Sequence, residues 1–371
     1  MILIYHVIIC FIFIDIKQIT DKNQTKSDLL QNKINTLENR IDKISAKLNE
    51  YNLINNHINN NKYISEVELS EISFEKFDEN VLQQIKNQQM EFCNNENKYR
   101  KGIYEEQIRL TNIDILNKSY HMYIYKREDY VSNNILREKS WEGKQSKALI
   151  DALNYYSSLK KIKNSNIFIL DIGANIGWHS IFLGKYGYRV LSFEPSDINI
   201  YILRKNYCLN PNLNIIFIKK GLYNEEKKCD HYILRGNVGN GMIICDNNVT
   251  VPYGLIKSSE IIITKLSNYI EFLSKRNLAL IKIDIEGSEG KAIESGIELI
   301  TNYHVPFIFL EFTPKSLRLH GTDPMKFLEM FENNGYKFPK DSFFDNKYYT
   351  KQELMVDGLF DLFIVYSNII K

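Results

Sequence analysis

The sequence has few of the residue patterns that bind a metal or define a disulfide scaffold. Its 371 residues include five cysteines, none in a Cys-Xaa-Xaa-Cys pair and none clustered with histidine. A structural zinc site, or any other metal site, is therefore not expected. Their odd number and irregular spacing also give no disulfide framework and leave the redox compartment open. The cysteines are Cys10, Cys93, Cys208, Cys229 and Cys245.

The chain also lacks an excess of charge of either sign. Lys and Arg together number 47, Asp and Glu together 45, and the formal net charge is +2. Such a balance provides no basic field to attract a phosphate backbone, which makes nucleic acid an unlikely partner. Hydrophobic residues make up 44% of the chain and aromatic residues 12%. The chain is therefore expected to bury a sizeable core.

The apolar start of the chain, Met1–Ile14, is short for a membrane span. As a helix it would reach about 21 Å, against roughly 30 Å for the hydrocarbon core of a bilayer. It also lacks a basic n-region and a small-residue cleavage site. Residues 1–16 are interpreted as a membrane anchor, a signal peptide or an apolar segment packed on the protein, and a membrane-associated or secretory location is slightly favoured. Three glycosylation sequons, which so Asn-rich a chain also produces by chance, are Asn23-Gln-Thr25, Asn117-Lys-Ser119 and Asn248-Val-Thr250.

A heptad pattern follows in residues 25–54. Its apolar residues alternate spacings of four and three, which keeps one seam on one helix face. Lys33 and Glu38 fall where they could pair across a parallel dimer. The flanking residues 55–62 are polar, so the pattern favours a short coiled coil, forming a homodimer or a stalk, over a helix packed on its own domain. The seam consists of Leu30, Ile34, Leu37, Ile41, Ile44, Leu48 and Tyr51.

From residue 166 to residue 371, apolar strands and amphipathic helices alternate as in a doubly wound α/β sheet. Residues 63–165 are predicted to be a linker and an N-terminal addition, with a helix and two strands. A less regular insertion is expected at 225–259. The predicted strands are 108–115, 120–125, 166–170, 188–193, 214–218, 278–283, 306–311, one near 336 and 359–366. The predicted helices are 80–91, 178–186, 197–209, 289–300 and 323–334.

The sequence DIGANIG lies between a predicted strand and a predicted helix. Gly173 and Gly177 would let a ligand approach the backbone, and the helix start would direct amide donors toward it. The loop does not have the GxGxxG pattern of a dinucleotide site. It has an acid before it and an amide within it, which suit a ligand that contains a zwitterionic amino acid. Asp171 would lie near the ammonium of that ligand and Asn175 near its carboxylate. Glu194 closes the next strand and is placed to accept hydrogen bonds from ribose hydroxyls, or else to cap a helix. Together these residues predict a nucleoside-containing cofactor.

A second group of acids lies in the sequence KIDIEGSE, at the end of a later strand. Asp284 and Glu286 alternate with isoleucines, so both carboxylates could project on one side. Close carboxylates repel, which raises the pKa of one of them toward the range of a general base. The alternative is that they only orient Lys282 or cap the next helix. Glu311, at the next strand end, is a third acid at this edge, and the set favours catalysis.

These motifs resemble the FkbM-type methyltransferases, which have the class I S-adenosylmethionine-dependent fold. The similarity spans about residues 122–338, and Trp141-Glu142 looks like the family's leading segment. The resemblance implies S-adenosyl-L-methionine as cofactor and O-methylation of a hydroxyl, with sugars and polyketides among the family's substrates. A glycan or small metabolite is thus the expected partner. The matching motifs are DIGANIGWHS, FEP, IKIDIEGSE and LEF.

Four residues are predicted to contact substrate or to act in a secondary role. His179, just after the loop, is a candidate base or a packing partner of Trp178, and Asn237 begins a Gly-rich segment interpreted as a lid or a flexible turn. The set is Glu142, His179, Asn237 and Glu311. The alternative function is a catalytically silent methyltransferase-like scaffold acting through its coiled coil, against which the acids at three strand ends argue.

Overall fold

A computed structural model describes residues 72, 74, 76–96, 105–126, 129–234, 237–245, 251 and 253–370. They belong to a unit that extends over residues 69–371. The predicted apolar segment 1–16 and coiled coil 25–54 lie outside the described residues. Within those residues, no helix combines the length and apolar character needed to cross a membrane.

The predicted N-terminal helix is present and lies against the main domain. Asp78 caps helix α1 (Glu79–Asn94) by accepting a hydrogen bond of 2.9 Å from the Val81 amide. Val81, Ile85 and Phe92 recur at helical spacing and are buried. The capping acid and the single apolar stripe explain why this segment is helical.

A β-hairpin follows, formed by antiparallel strands β1 (Ile108–Ile115) and β2 (Lys118–Tyr125). Leu116 and Asn117 form its two-residue turn, and both have positive φ angles, which match the twist of the paired strands. The second strand begins two residues earlier than predicted. The next helices are α2 (Tyr130–Glu138) and α3 (Gly143–Lys160).

Strands and helices then alternate as predicted. Ile167 and Ile169 of the first strand pack into one apolar cluster, while Phe168, Leu170 and Ile172 pack into another on the opposite face. A strand buried on both faces reads as a continuous apolar run, which is the observed sequence. These elements are β3 (Ile167–Ile172), α4 (Trp178–Lys185), β4 (Arg189–Phe193), α5 (Asp197–Leu209) and β5 (Asn214–Ile218).

The segment predicted as a less regular insertion is instead a four-stranded sheet. One of its two inner strands, residues 227–234, pairs antiparallel with both of its neighbours, and both pairings contain register shifts. Such bulges break the two-residue alternation, which is why the sequence pattern looked irregular. Residues 237–241, interpreted as a lid or turn, lie in a paired strand. The strands are β6 (Gly221–Leu222), β7 (Lys227–Leu234), β8 (Asn237–Ile244) and β9 (Leu255–Thr264).

Two disulfides correct the expectation that no disulfide framework exists. Cys93 in α1 is bonded to Cys208 in α5, with a Cα–Cα distance of 5.3 Å. Cys229 in β7 is bonded to Cys245, just after β8, with a Cα–Cα distance of 4.6 Å. The first pair is 115 residues apart in sequence, so only the tertiary fold reveals it.

The last part of the chain completes the central sheet. The helix predicted over 289–300 is broken at residues 295–297, where the Ser295 hydroxyl accepts a 2.9 Å hydrogen bond from the Leu266 amide. The elements are α6 (Ser267–Ser274), β10 (Asn277–Ile283), α7 (Glu289–Glu294), α8 (Glu298–Thr301), β11 (Phe307–Phe312), α9 (Pro314–Leu319), α10 (Pro324–Asn333), β12 (Tyr336–Lys337), α11 (Lys351–Leu354) and β13 (Phe360–Tyr366).

Among the described residues, seven strands form the central sheet in the order β12-β13-β11-β10-β3-β4-β5. All are parallel except β13, which is antiparallel to both of its neighbours. Apolar clusters lie on both faces, as a doubly wound sheet requires. The strand order reverses at β3, which has β4 on one side and β10 on the other. Ligands bind beyond the carboxyl ends of strands at such a point.

Candidate active site

A cleft lies at the carboxyl ends of β3, β4, β5 and β10, where the four-stranded sheet forms one wall. The space between its walls, open mouth included, is about 560 Å³. Its lining residues are Ile172, Gly173, Asn175, Phe193, Glu194, Pro195, Asn199, Lys220, Gly221, Leu222, His231, Gly239, Gly241, Ile243, Asp284, Ile285 and Glu286.

The predicted cofactor loop fits tightly between two strand ends. Gly173 has a φ of 79°, and a Cβ atom there would lie 1.8 Å from the Asp284 carbonyl oxygen. Its amide donates a 2.9 Å hydrogen bond to the Phe193 carbonyl. Asn175 is also left-handed, with φ 51°, and Gly177, with φ 89°, precedes the first residue of α4. Of these three predicted cofactor-binding residues, Gly173 and Asn175 line the cleft and Gly177 does not.

Glu194 is held at the cleft wall by three N–H donors. Its Oε2 accepts a 2.8 Å hydrogen bond from the Asn175 amide. Its Oε1 accepts from the Ser196 amide at 2.9 Å and from Asn199 Nδ2 at 3.2 Å. Burial raises the pKa of Glu194 to about 7, although these hydrogen bonds favour its ionised form. Glu194 is therefore hydrogen-bonded directly to the predicted cofactor loop, through the Asn175 amide.

Asp171 is fully buried and does not line the cleft. Its Oδ2 accepts a hydrogen bond of 2.5 Å from the Ser180 hydroxyl. Its Oδ1 has no hydrogen-bond partner in the described part of the chain and lies 3.8 Å from Lys282 Nζ. Its predicted contact with the ammonium of a cofactor stays a prediction.

Three predicted acids come together at the carboxyl ends of β10 and β11, and two of them, Asp284 and Glu286, line the cleft. Asp284, Glu286 and Glu311 each have a carboxylate oxygen within 4.8 Å of the others. Glu286 is in the left-handed region, with φ 56°. Glu289 shapes this turn, because its Oε1 accepts hydrogen bonds from the Ile285 amide at 3.0 Å and from a second amide at 3.2 Å.

Charge is distributed unequally over these acids. Burial, followed by the charges of Asp284 and Glu286, raises the pKa of Glu311 to about 10. Burial acts most strongly and would raise the pKa of Asp284, but the Lys282 charge and hydrogen bonds from Glu311 and Lys282 together outweigh it, so the pKa lies below its ordinary value. Close carboxylates attract metal ions as well; here Lys282 Nζ, 3.4 Å from Asp284 Oδ2, already supplies a cation, and we assign no metal ligands.

The predicted secondary residues Glu142 and His179 contact each other. His179 Nε2 lies 2.9 Å from Glu142 Oε2, and neither residue lines the cleft. Glu142 has a φ of 45° and precedes α3. Beside them, Gln145 Nε2 donates a 2.6 Å hydrogen bond to Asp361, whose pKa is raised by burial and by the charge of Glu142. The pair therefore borders the acids without facing the cleft.

Asn237, in the segment interpreted as a lid or a flexible turn, is the first residue of strand β8 and makes a structural contact there. Its side-chain oxygen accepts a 2.9 Å hydrogen bond from the Tyr130 amide and so joins β8 to α2. Gly241, in the same strand, faces His231: a Cβ there would lie 2.0 Å from its Nε2. This glycine allows close packing and is not a sign of flexibility.

Several cleft residues were not identified from the sequence. Asn199 donates to Glu194 and also to the Gly239 carbonyl, at 3.1 Å. Burial lowers the pKa of His231 to about 4, so this side chain is a neutral part of the wall. Gly221 and Leu222 follow β5, and the rule that ligands bind at strand ends could have identified them. No sequence motif identifies Asn199 or His231 as cleft residues.

The chain was compared with known proteins. Residues 171–338 match the family model described as the methyltransferase FkbM domain. No curated protein matches significantly. The structure is similar to the bifunctional kinase-methyltransferase WbdD, with 12% identity, a TM-score of 0.36 and coverage of 60% of this chain and 39% of WbdD. The chain thus spans about two fifths of that protein.

Two other similar structures are methyltransferases. One is a TehB-like SAM-dependent methyltransferase from Corynebacterium glutamicum, with 13% identity, a TM-score of 0.32 and coverage of 63% of this chain and 93% of that one. The other is magnesium protoporphyrin IX methyltransferase from Synechocystis PCC 6803 with bound SAH, with 10% identity, a TM-score of 0.31 and coverage of 64% and 88%. The match with the FkbM family model covers residues 171–338, which include the loop, Glu194 and the three acids of the site.

Proposed function

We propose that this domain transfers a methyl group from S-adenosyl-L-methionine to a hydroxyl of a sugar, a glycan or a small metabolite. One observation carries the proposal: Asp284 and Glu286 line the same cleft as Gly173 and Glu194. Residues suited to hold a nucleoside cofactor and residues suited to accept a hydroxyl proton therefore face the same cleft.

S-adenosyl-L-methionine is the cofactor expected of the domain, and the cleft fits it. An ionised carboxylate has about four acceptor positions, and Glu194 uses three of them on protein N–H groups. The remaining position suits a ribose hydroxyl. The residues that line the cleft include three acids, Glu194, Asp284 and Glu286, and one lysine, Lys220. This excess of acidic groups suits a positively charged ligand.

When bound, the cofactor supplies a methyl group on a positively charged sulfur, which keeps the electron pair of the broken carbon–sulfur bond. The chain would contribute mainly proximity and orientation of the acceptor hydroxyl. Asp284 or Glu286 would hold that hydroxyl and take its proton as its oxygen bonds to the methyl carbon. Both carboxylates line the cleft, which supports the proposal that one of them is the base.

Calorimetric titration with S-adenosylhomocysteine tests the cofactor site. Glu194→Gln and Asp171→Ala should each weaken binding at least tenfold, about 1.4 kcal/mol, because each removes a charged acceptor. Glu271→Gln, an exposed acid on α6, is the matched control and should bind like the wild type. Unchanged affinity in both site variants would contradict the assignment.

Methyl transfer is tested by incubating the chain with labelled S-adenosyl-L-methionine and a panel of glycans, and by mass spectrometry after co-expression. Loss of the general base typically lowers the rate by about 10² to 10⁴-fold. Asp284→Asn and Glu286→Gln should therefore differ, and the slower variant identifies the base. Binding of S-adenosylhomocysteine without any transfer would favour the silent scaffold instead.

A further inference from the structure

Lys282 lies at the contact between the cofactor loop and the three acids. Its Nζ donates a 3.0 Å hydrogen bond to the Gly173 carbonyl and a 3.4 Å hydrogen bond to Asp284 Oδ2. It also lies 3.8 Å from Asp171 Oδ1. The side chain is 4% exposed. A single ammonium group thus contacts two neighbouring residues, Gly173 and Asp284, that both line the cleft.

This ammonium is compensated by the groups around it. An isolated charge in a protein interior is strongly unfavourable unless it is paired and hydrogen-bonded. Asp171 Oδ1 lies 3.8 Å and Asp284 Oδ2 3.4 Å from Lys282 Nζ, so each carboxylate also depends on the lysine for its own compensation. The other titratable groups at this edge are Glu142, His179, Glu194, Glu286, Glu289, Glu311 and Asp361.

We propose that Lys282 is a positioning residue for methyl transfer: it fixes the cofactor loop relative to Asp284 and keeps that carboxylate ionised in the cleft. The inference rests on the proposed function. Beyond that function, the inference states that Lys282 holds the cofactor loop and Asp284 in a fixed arrangement. Because the lysine is not among the residues that line the cleft, it acts through Gly173 and Asp284.

The test compares Lys282→Met with wild type in two measurements. Titration with S-adenosylhomocysteine should show at least tenfold weaker binding, because the Gly173 carbonyl loses its donor. Denaturation between pH 5 and 9 should show stability falling more steeply with rising pH. Without the lysine, Asp284 keeps a proton in the folded chain that the unfolded chain has lost. Adding Asp284→Asn should reduce the extra steepness, and an undiminished slope would contradict the role of Asp284.

Lys205 provides the matched control, because it is another buried lysine paired with two carboxylates, Glu96 at 2.6 Å and Glu105 at 2.5 Å. Lys205→Met should lose stability but bind S-adenosylhomocysteine within about twofold of wild type. If Lys282→Met does not fold, Lys282→Arg replaces it. That variant keeps the charge but not the lysine geometry, so its binding should weaken with no change in the pH dependence.

Wild-type binding and wild-type pH dependence in Lys282→Met would overturn the inference, as would wild-type binding in Lys282→Arg. The proposed function fails separately, if the wild-type chain itself does not bind S-adenosylhomocysteine. The pH dependence of Lys282→Met needs no ligand and would still test whether the lysine keeps Asp284 ionised.

A second inference starts from the disulfides. Cys93–Cys208 and Cys229–Cys245 involve four of the five cysteines, and structural disulfides form in oxidising compartments such as the secretory pathway. The sequon Asn117-Lys-Ser119 lies at the tip of the β1–β2 hairpin, where Asn117 and Ser119 are both exposed. Its turn is anchored from behind, because the Tyr186 hydroxyl donates to the Leu116 carbonyl at 2.6 Å.

We infer that the chain matures in an oxidising secretory compartment and carries an N-linked oligosaccharide on Asn117. The test expresses the unaltered chain in eukaryotic cells and compares gel mobility before and after an N-glycosidase. Ser119→Ala removes the sequon and leaves the Asn117 turn intact, so it should lose one glycan. Ser119→Thr keeps the sequon and should match wild type. Equal mobility of wild type and Ser119→Ala before glycosidase treatment would overturn the inference.

Discussion

Among single residues, Gly173 is the one whose replacement has the clearest geometric outcome. Gly173→Ala would place a methyl group 1.8 Å from the Asp284 carbonyl oxygen, in a backbone conformation that alanine disfavours. Either the loop or the end of β10 must then move. We expect a loss of about 2 to 4 kcal/mol in unfolding free energy, measured by urea denaturation, together with weaker S-adenosylhomocysteine binding.

Gly143→Ala is the control for that change. Gly143 is the first residue of α3, and a Cβ atom there would meet nothing within 4 Å. Alanine at such a position is expected to be neutral or to stabilise by about 0.5 to 1 kcal/mol. Equal losses in the two variants would show that contact with Asp284 is not the cause.

Glu311 makes a prediction about pH. Its pKa of about 10 means that the folded chain keeps a proton that the unfolded chain loses near pH 4.5. Stability therefore falls between these values as pH rises, by up to roughly 1 kcal/mol per pH unit. Glu311→Gln should flatten the slope between pH 7.5 and 9 in urea denaturation. The exposed control Glu271→Gln should keep it, and an unchanged slope in Glu311→Gln would contradict the shared-proton picture.

The acids of the site could be predicted from the sequence, because strand ends in an open α/β sheet meet at one edge. Asp284, Glu286 and Glu311 were placed together in this way, and the structure brings them within 4.8 Å. Asn199 and the bridging role of Lys282 could not be predicted. Their contacts depend on how α5 and β10 pack against the loop, which is not written in local sequence spacing.

Among secondary-structure elements, those with strong apolar periodicity matched the prediction best. Helix α5 and strand β5 have the predicted bounds, since both follow one regular pattern. The four-stranded sheet was missed because bulges shift its apolar positions, and a disulfide ties its β7–β8 pair.

That disulfide makes a prediction at the same scale. Changing Cys229→Ala and Cys245→Ser together opens a loop of 16 residues, which typically costs about 3 kcal/mol. Amide hydrogen exchange should become faster in β7 and β8 and stay unchanged in β3 and β10. Cys10→Ser, outside both disulfides, should exchange like wild type. If amide exchange in β7 and β8 of the double variant is as slow as in wild type, the disulfide does not stabilise these two strands.

For the whole molecule, the main untested prediction is the coiled coil of residues 25–54. Its short seam predicts a weak homodimer whose population rises with concentration. Light scattering after size exclusion should give twice the chain mass at high concentration, and Ile41→Asp, in the seam, should give a monomer. Asn39→Asp, off the seam, is the control. A monomer at every wild-type concentration would favour a helix packed on its own domain.

The Cys93–Cys208 bond also changes what a cut in the chain would do. It joins residues 115 positions apart, and the peptide between them includes β1 to β4 and most of α5. A single cleavage within that stretch yields two polypeptides that remain one covalent molecule until the bond is reduced. Electrophoresis without reductant would therefore record a nicked protein as uncut, and only reduction would release the fragment that carries α1.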